Sequence, residues 1–185
     1  MKKVIFFFLV ASSYINAQNQ LAIPNALSGV NINLTLQEGT TMFYPGATVN
    51  TMGANGSLLG PTLILEKNSF LNISVDNQLN DTTTLHWHGM HVSPENDGGP
   101  HSKISPGSIW NPQFNVLDKA GTFWYHPHLH HHTDKHVSKG IAGLILVRDS
   151  EEAGLNLPLT YGVDEFPIIM QTKGFDATGQ IEIHT

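Results

Sequence analysis

"FLNISVDNQL", residues 70–79, decides the fold class. Leu71, Ile73 and Val75 fall on one parity, and Asn72, Ser74 and Asp76 on the other. Strict alternation puts apolar side chains on one side of an extended chain and polar ones on the other, as in a half-buried β-strand. Strand character extends outward from there. "VNINLTLQEG" (30–39), "TMFYPGATVN" (41–50) and "PTLILEK" (61–67) precede it. "TTTLHWHG" (82–89), "SIWNPQFNV" (108–116), "TFWYHPH" (122–128) and "GIAGLILVRD" (140–149) follow. The last is apolar on both parities, as expected of a strand covered on both faces. "ANGS" (54–57), "NDGGP" (96–100), "SPG" (105–107) and "KAG" (119–121) read as turns. No stretch carries a long 3.6-residue apolar stripe, so the expected class is all-β, a sandwich or Greek-key barrel.

The ends of the chain differ from its middle. "MKK" is basic, "VIFFFLVA" is a short apolar run, and "SSYINA" leads to the small residue Ala17. Residues 1–17 therefore read as a secretory signal peptide, and the mature protein is expected to be exported, periplasmic or secreted. Eight apolar residues fall far short of the ~20 that span a bilayer. Residues 18–150 are expected to form one domain. "SEEAGLNLPL" (150–159) then reads as a linker. Beyond it, Pro167–Gln171 is expected as a strand, "DATG" (176–179) as a turn, and Gln180 onward as another strand. Such a hairpin cannot bury its own apolar face. Residues 151–185 are accordingly expected to be a linker and the incomplete start of a second domain.

The formal net charge of −6 argues against nucleic acid or an anionic membrane as partner, and loss of Lys2 and Lys3 with a leader would make it more negative. The chain has no cysteine, so there is no disulfide and no thiolate ligand; any bound metal is held by nitrogen and oxygen.

Of the 11 histidines, all but His184 lie between His86 and His136. On a strand, residues two apart share a face, ~7 Å apart along the backbone. His86 and His88 therefore point one way, with Leu85 and Trp87 turned to the other. His126 and His128 share parity with Trp124, while Phe123 and Tyr125 face away. Pro127 removes a ladder donor, which places this segment at a strand end or sheet edge. If the two strand ends are neighbours, four imidazoles converge. Imidazole suits copper, zinc, iron or nickel, and two pairs without a carboxylate at ligand spacing lean towards copper or zinc.

"NGSLLGPTLILEKNSFLNISVDNQLNDTTTLHWHGMHV", with "DGGP", "GTFWYHPHLH" and "GIAGLILVRD" after it, resembles the N-terminal cupredoxin (plastocyanin-like) domain of multicopper oxidases. The likeness covers roughly residues 30–175 and is nearest the bacterial copper-efflux oxidase and laccase branch. It implies a cupredoxin-like Greek-key β-sandwich. It further implies that His86 binds a type-2 copper, that His88 binds a type-3 copper, and that His126 and His128 bind type-3 coppers. Asp97, the acid of DGGP, would lie on the route by which protons and water reach the cluster. In the family, a substrate is oxidised and dioxygen is reduced to water.

This chain departs from that pattern in two respects. The family's blue type-1 site needs a cysteine, and the trinuclear cluster needs further histidine pairs from another cupredoxin domain. Here only half the cluster ligands are present, and His184 stands alone. Three readings stay open: the N-terminal part of a full oxidase, an exported copper-binding module that buffers metal without turnover, and a subunit completed by cupredoxin domains of another polypeptide. The reducing substrate is equally open, with cuprous ion, phenols and pigments all compatible. His91 and His101 flank DGGP. The "HHHTDKH" run (130–136) is expected to be a solvated polar loop or a loose copper-loading site.

Overall fold

The computed structural model describes residues 21–184, so the expected leader lies outside the described residues. In chain order the elements are β1 (Ala26–Ser28), β2 (Asn31–Tyr44), β3 (Ala47–Ala54), β4 (Thr62–Glu66), β5 (Phe70–Asn77) and β6 (His86–His88). They continue with β7 (Ile109–Trp110), β8 (Gln113–Asn115), β9 (Gly121–His126), α1 (Thr133–Lys139), β10 (Gly143–Arg148) and α2 (Ser150–Ala153). One sheet has the order β1-β4-β10-β9-β6; the other runs β3-β2-β5-β7, with β8 also on β5. The pairs β1/β4, β4/β10 and β2/β5 are parallel, and the remaining strand pairs are antiparallel.

The alternation read in residues 70–79 is what joins the sheets. Leu71, Ile73 and Val75 of β5 and Ile32, Leu34 and Leu36 of β2 are buried in one cluster with Leu63, Leu65, Trp87, Tyr125, Ile145 and Val147 of the other sheet. Each such side chain contributes about 1.5–3 kcal/mol of burial. The result is the expected β-sandwich. β10 is central in its sheet, between β4 and β9; Gly143, Ile145 and Val147 are buried on one parity, and on the other Leu146 is buried while Leu144 and Arg148 are half-buried.

Several expectations are corrected. Residues 41–50 are not one strand: Tyr44 ends β2 and Ala47 opens β3, with Pro45-Gly46 turning between them and Gly46 at φ 85°. That is turn chemistry, since proline presets φ and glycine accepts a positive one. Residues 108–116 split into β7 and β8 on either side of Asn111-Pro112. Residues 140–142 precede β10 instead of belonging to it, because Gly140 caps α1 in a left-handed conformation.

Residues 150–153, expected as linker, make α2, whose first turn is capped by Asp149 Oδ1 accepting from Glu152 N at 2.8 Å. The strand expected at Pro167–Gln171 does not form, and Ile168 and Met170 are exposed. The expected turn at 176–179 does form, closed by the bridge Phe175↔Ile181. This segment lies back on the β2–β3 hairpin: Phe175 meets the rings of Phe43 and Tyr44, and Gln180 Oε1 accepts from Asn50 N at 2.8 Å.

Candidate metal centre

The two His-x-His pairs meet because β6 lies antiparallel to β9 with His86 opposite His126 and His88 opposite Trp124. Directly opposed residues of an antiparallel pair point to the same face. Leu85, Trp87 and Tyr125 are fully buried on the other face, which holds the strands in this register. A slip of one residue would drive the imidazoles into the core. β9 ends at His126 because Pro127 cannot continue the ladder, and His128 follows just beyond the strand. Pro127 therefore marks a strand end and not a sheet edge, since β9 lies between β10 and β6.

All four rings come together. His86 lies 5.7 Å from His88, 5.6 Å from His126 and 5.4 Å from His128, centroid to centroid. His126 lies 5.3 Å from His88 and 5.8 Å from His128. One ligand nitrogen from each of His86, His88 and His126 lies within 4.8 Å of the others.

The hydrogen bonds assign the protons. His86 Nδ1 is 3.0 Å from the carbonyl oxygen of Asp97, and His126 Nδ1 is 2.7 Å from that of Pro127. A carbonyl only accepts, so both Nδ1 atoms carry hydrogen and both Nε2 atoms keep a lone pair. His88 Nδ1 then donates to His126 Nε2 at 3.1 Å. Burial pushes the pKa of His126 down to about 4, against the Pro127 hydrogen bond and helped by His86, His88 and His128. A neutral imidazole is the form that ligates. The donor set therefore fits a nitrogen-binding metal ion such as copper.

Asp97 reaches His86 twice, since its Oδ2 is also 3.1 Å from Nδ1. The approach depends on Gly98, which has φ +73°; a Cβ there would lie 1.7 Å from Leu85 O. Two neighbours were not singled out as site residues. Trp124 stacks on His126 at 4.0 Å and leans on His88 at 5.0 Å, fixing both ring planes. Its parity with His126 was a visible signal. Thr84 Oγ1 accepts from His128 N at 2.7 Å, a contact with no sequence signature.

The other histidines stay outside the cluster. His91 donates to the buried Asp118 at 2.6 Å while its ring is mostly exposed, and His101 is exposed. His130 and His131 contact each other at the surface. His184 sits on the docked tail, its N–H donating to Asp134 at 2.9 Å. The expected solvated loop is corrected: it leads into α1, and His136 is fully buried.

Residues 29–152 match the family model described as multicopper oxidase. The chain belongs to the multicopper oxidase family. Copper is this family's metal, and the sandwich is its cupredoxin fold. The chain is 40% identical over 165 residues to the multicopper oxidase mco of Staphylococcus aureus, covering 85% of this chain and 36% of that protein. It is 33% identical over 168 residues to the cell division protein FtsP of Escherichia coli K12, covering 89% and 36%. A solved laccase from Pediococcus acidilactici superposes with a TM-score of 0.83 at 32% identity, covering 90% of this chain and 38% of the laccase. The chain thus spans little more than a third of the relatives it matches. Family members carry names as different as oxidase and cell division protein, so activity has to be argued from the site and not from the fold.

Proposed function

We propose that this multicopper oxidase family chain acts as a copper-binding domain, with His86, His88, His126 and His128 supplying half the ligands of a trinuclear copper cluster. The observation that carries this reading is the convergence of four imidazoles, with the Nδ1 atoms of His86 and His126 tied to carbonyls so that each Nε2 keeps its lone pair. His86 belongs to a type-2 copper, and His88, His126 and His128 to type-3 coppers. Cupredoxin domains outside these residues, in cis or in trans, complete the cluster and provide the blue site that a chain without cysteine cannot. Bound copper supplies one-electron redox chemistry that couples substrate oxidation to reduction of dioxygen to water.

The protein's own contribution is orientation and proton handling. Asp97 and Pro127 fix the tautomers of two ligands, as carbonyl or carboxylate partners of metal-bound histidines do. The Asp97 side chain is 28% exposed while touching His86, a position from which a carboxylate passes protons between solvent and the cluster. The apolar run near the N-terminus adds export to this proposal. No helix among the described residues is long and apolar enough to cross a membrane.

The test is to equilibrate the purified chain with Cu(II), remove loose metal, and measure retained copper by mass spectrometry and electron paramagnetic resonance. The wild-type chain is expected to hold copper with nitrogen hyperfine structure and without intense blue colour. The double substitution His86→Ala, His126→Ala is expected to abolish retention. Undiminished copper in that variant would move the site to the His130–His136 segment and overturn the assignment. In the assembled oxidase, Asp97→Asn is expected to keep copper but lose turnover; wild-type turnover would remove Asp97 from proton delivery.

A further inference from the structure

His136 lies in a run of charged and polar residues, yet it is fully buried. An imidazole taken from water is costly unless it is hydrogen-bonded, and an apolar side chain would fill the same space at less cost. Its contacts lead towards the metal centre. Nδ1 is 3.1 Å from Thr83 Oγ1, and Nε2, without a hydrogen-bond partner, lies 3.7 Å from Asp81 Oδ2. Asp81 is itself held by Lys135, so α1 grips the 81–84 segment at two points. Thr83 is fully buried and exchanges backbone hydrogen bonds with Ile104, at 3.1 and 2.8 Å. The next residue, Thr84, holds the backbone N–H of His128 on its hydroxyl. Two residues further on comes His86, whose ring is 5.4 Å from that of His128.

His136 therefore joins the helix that follows the second histidine pair to the segment that leads into the first. We propose that His136 is a positioning residue for the metal centre: its bond to Thr83 fixes the Thr83-Thr84 segment and with it the separation of His86 and His128. This rests on the reading of those histidines as copper ligands. Outer contacts that orient ligands change metal affinity by about 10–100-fold when removed, and a contact one step further out belongs at the low end.

The test measures the Cu(II) dissociation constant of the full chain, by competition with a chelator of known affinity, for wild type and five variants. His136→Leu and Thr83→Val are each expected to weaken binding about tenfold and to alter the nitrogen hyperfine pattern. The double variant is expected to be no worse than either single one, because both break the same bond. His136→Gln, whose amide also bonds a hydroxyl, is expected to restore most of the affinity. Ile32→Val, in the opposite sheet, shows what lowered stability alone does, and is expected to leave affinity unchanged. If His136→Leu does not fold, Thr83→Val still decides, since it removes only a hydroxyl. Wild-type affinity in Thr83→Val and in any folded His136→Leu would overturn this role alone. Failure of the wild-type chain to hold Cu(II) would overturn the copper reading and this role with it.

Discussion

Gly98→Ala is expected to damage the fold and the metal centre together. Gly98 has φ +73°, a conformation that costs a residue with a Cβ about 1–2 kcal/mol. The larger problem is steric, because the new Cβ would sit 1.7 Å from the carbonyl oxygen of Leu85. Carbon and oxygen in contact normally keep about 3.3 Å, so the loop must withdraw from β6 by about 1.5 Å. No side-chain rotation relieves a clash with backbone. Withdrawal breaks the 3.2 Å bond from Trp87 N to Asp97 O and the 3.0 Å bond from His86 Nδ1 to the same oxygen. At about 1 kcal/mol each, these bring the total to about 3–4 kcal/mol, a large share of the ~5–15 kcal/mol that holds a domain together. Urea unfolding at neutral pH, followed by tryptophan fluorescence, should show the midpoint falling by about 1–2 M for a typical slope. The same sample should bind Cu(II) more weakly, because His86 has lost the acceptor that fixes its tautomer. A variant with wild-type midpoint and wild-type affinity would refute both the strain argument and the orienting role of Asp97.

Two further outcomes follow from the buried polar groups. His126 and His136 are both pushed down to about 4, chiefly by burial, whereas unfolded they titrate near 6.5. Unfolding therefore takes up protons between about pH 6.5 and 4, and the metal-free chain loses stability as pH falls through that window, by up to about 3 kcal/mol per group. A urea midpoint at pH 5 equal to that at pH 7 would contradict this, and His136→Leu should lessen the drop. Tyr125→Phe removes a hydroxyl that donates to Pro61 O at 2.8 Å in a fully buried position. Leaving that carbonyl unpaired should cost about 1–3 kcal/mol by chemical denaturation, and unchanged stability would mean another donor replaces it.

Local pattern carried much of this protein. Alternation over residues 70–79 specifies a strand and its buried side whatever lies opposite, because side-chain parity is a property of the extended backbone itself. For the same reason His86 and His88 had to share a face. The absence of cysteine excluded a thiolate ligand for any metal. Even the corrected strand at 41–50 carried its own signal in Pro45-Gly46.

Tertiary structure decided the rest. That β6 lies against β9 with His86 opposite His126 depends on core contacts between residues about forty apart, which no local window contains. Asp97 comes near His86 only because its loop folds over β6 at a glycine. His136 looked solvated because its neighbours in sequence are polar; its partner Thr83 is 53 residues away. Burial is set by what arrives from elsewhere in the chain, whereas parity is set by the backbone of the strand alone.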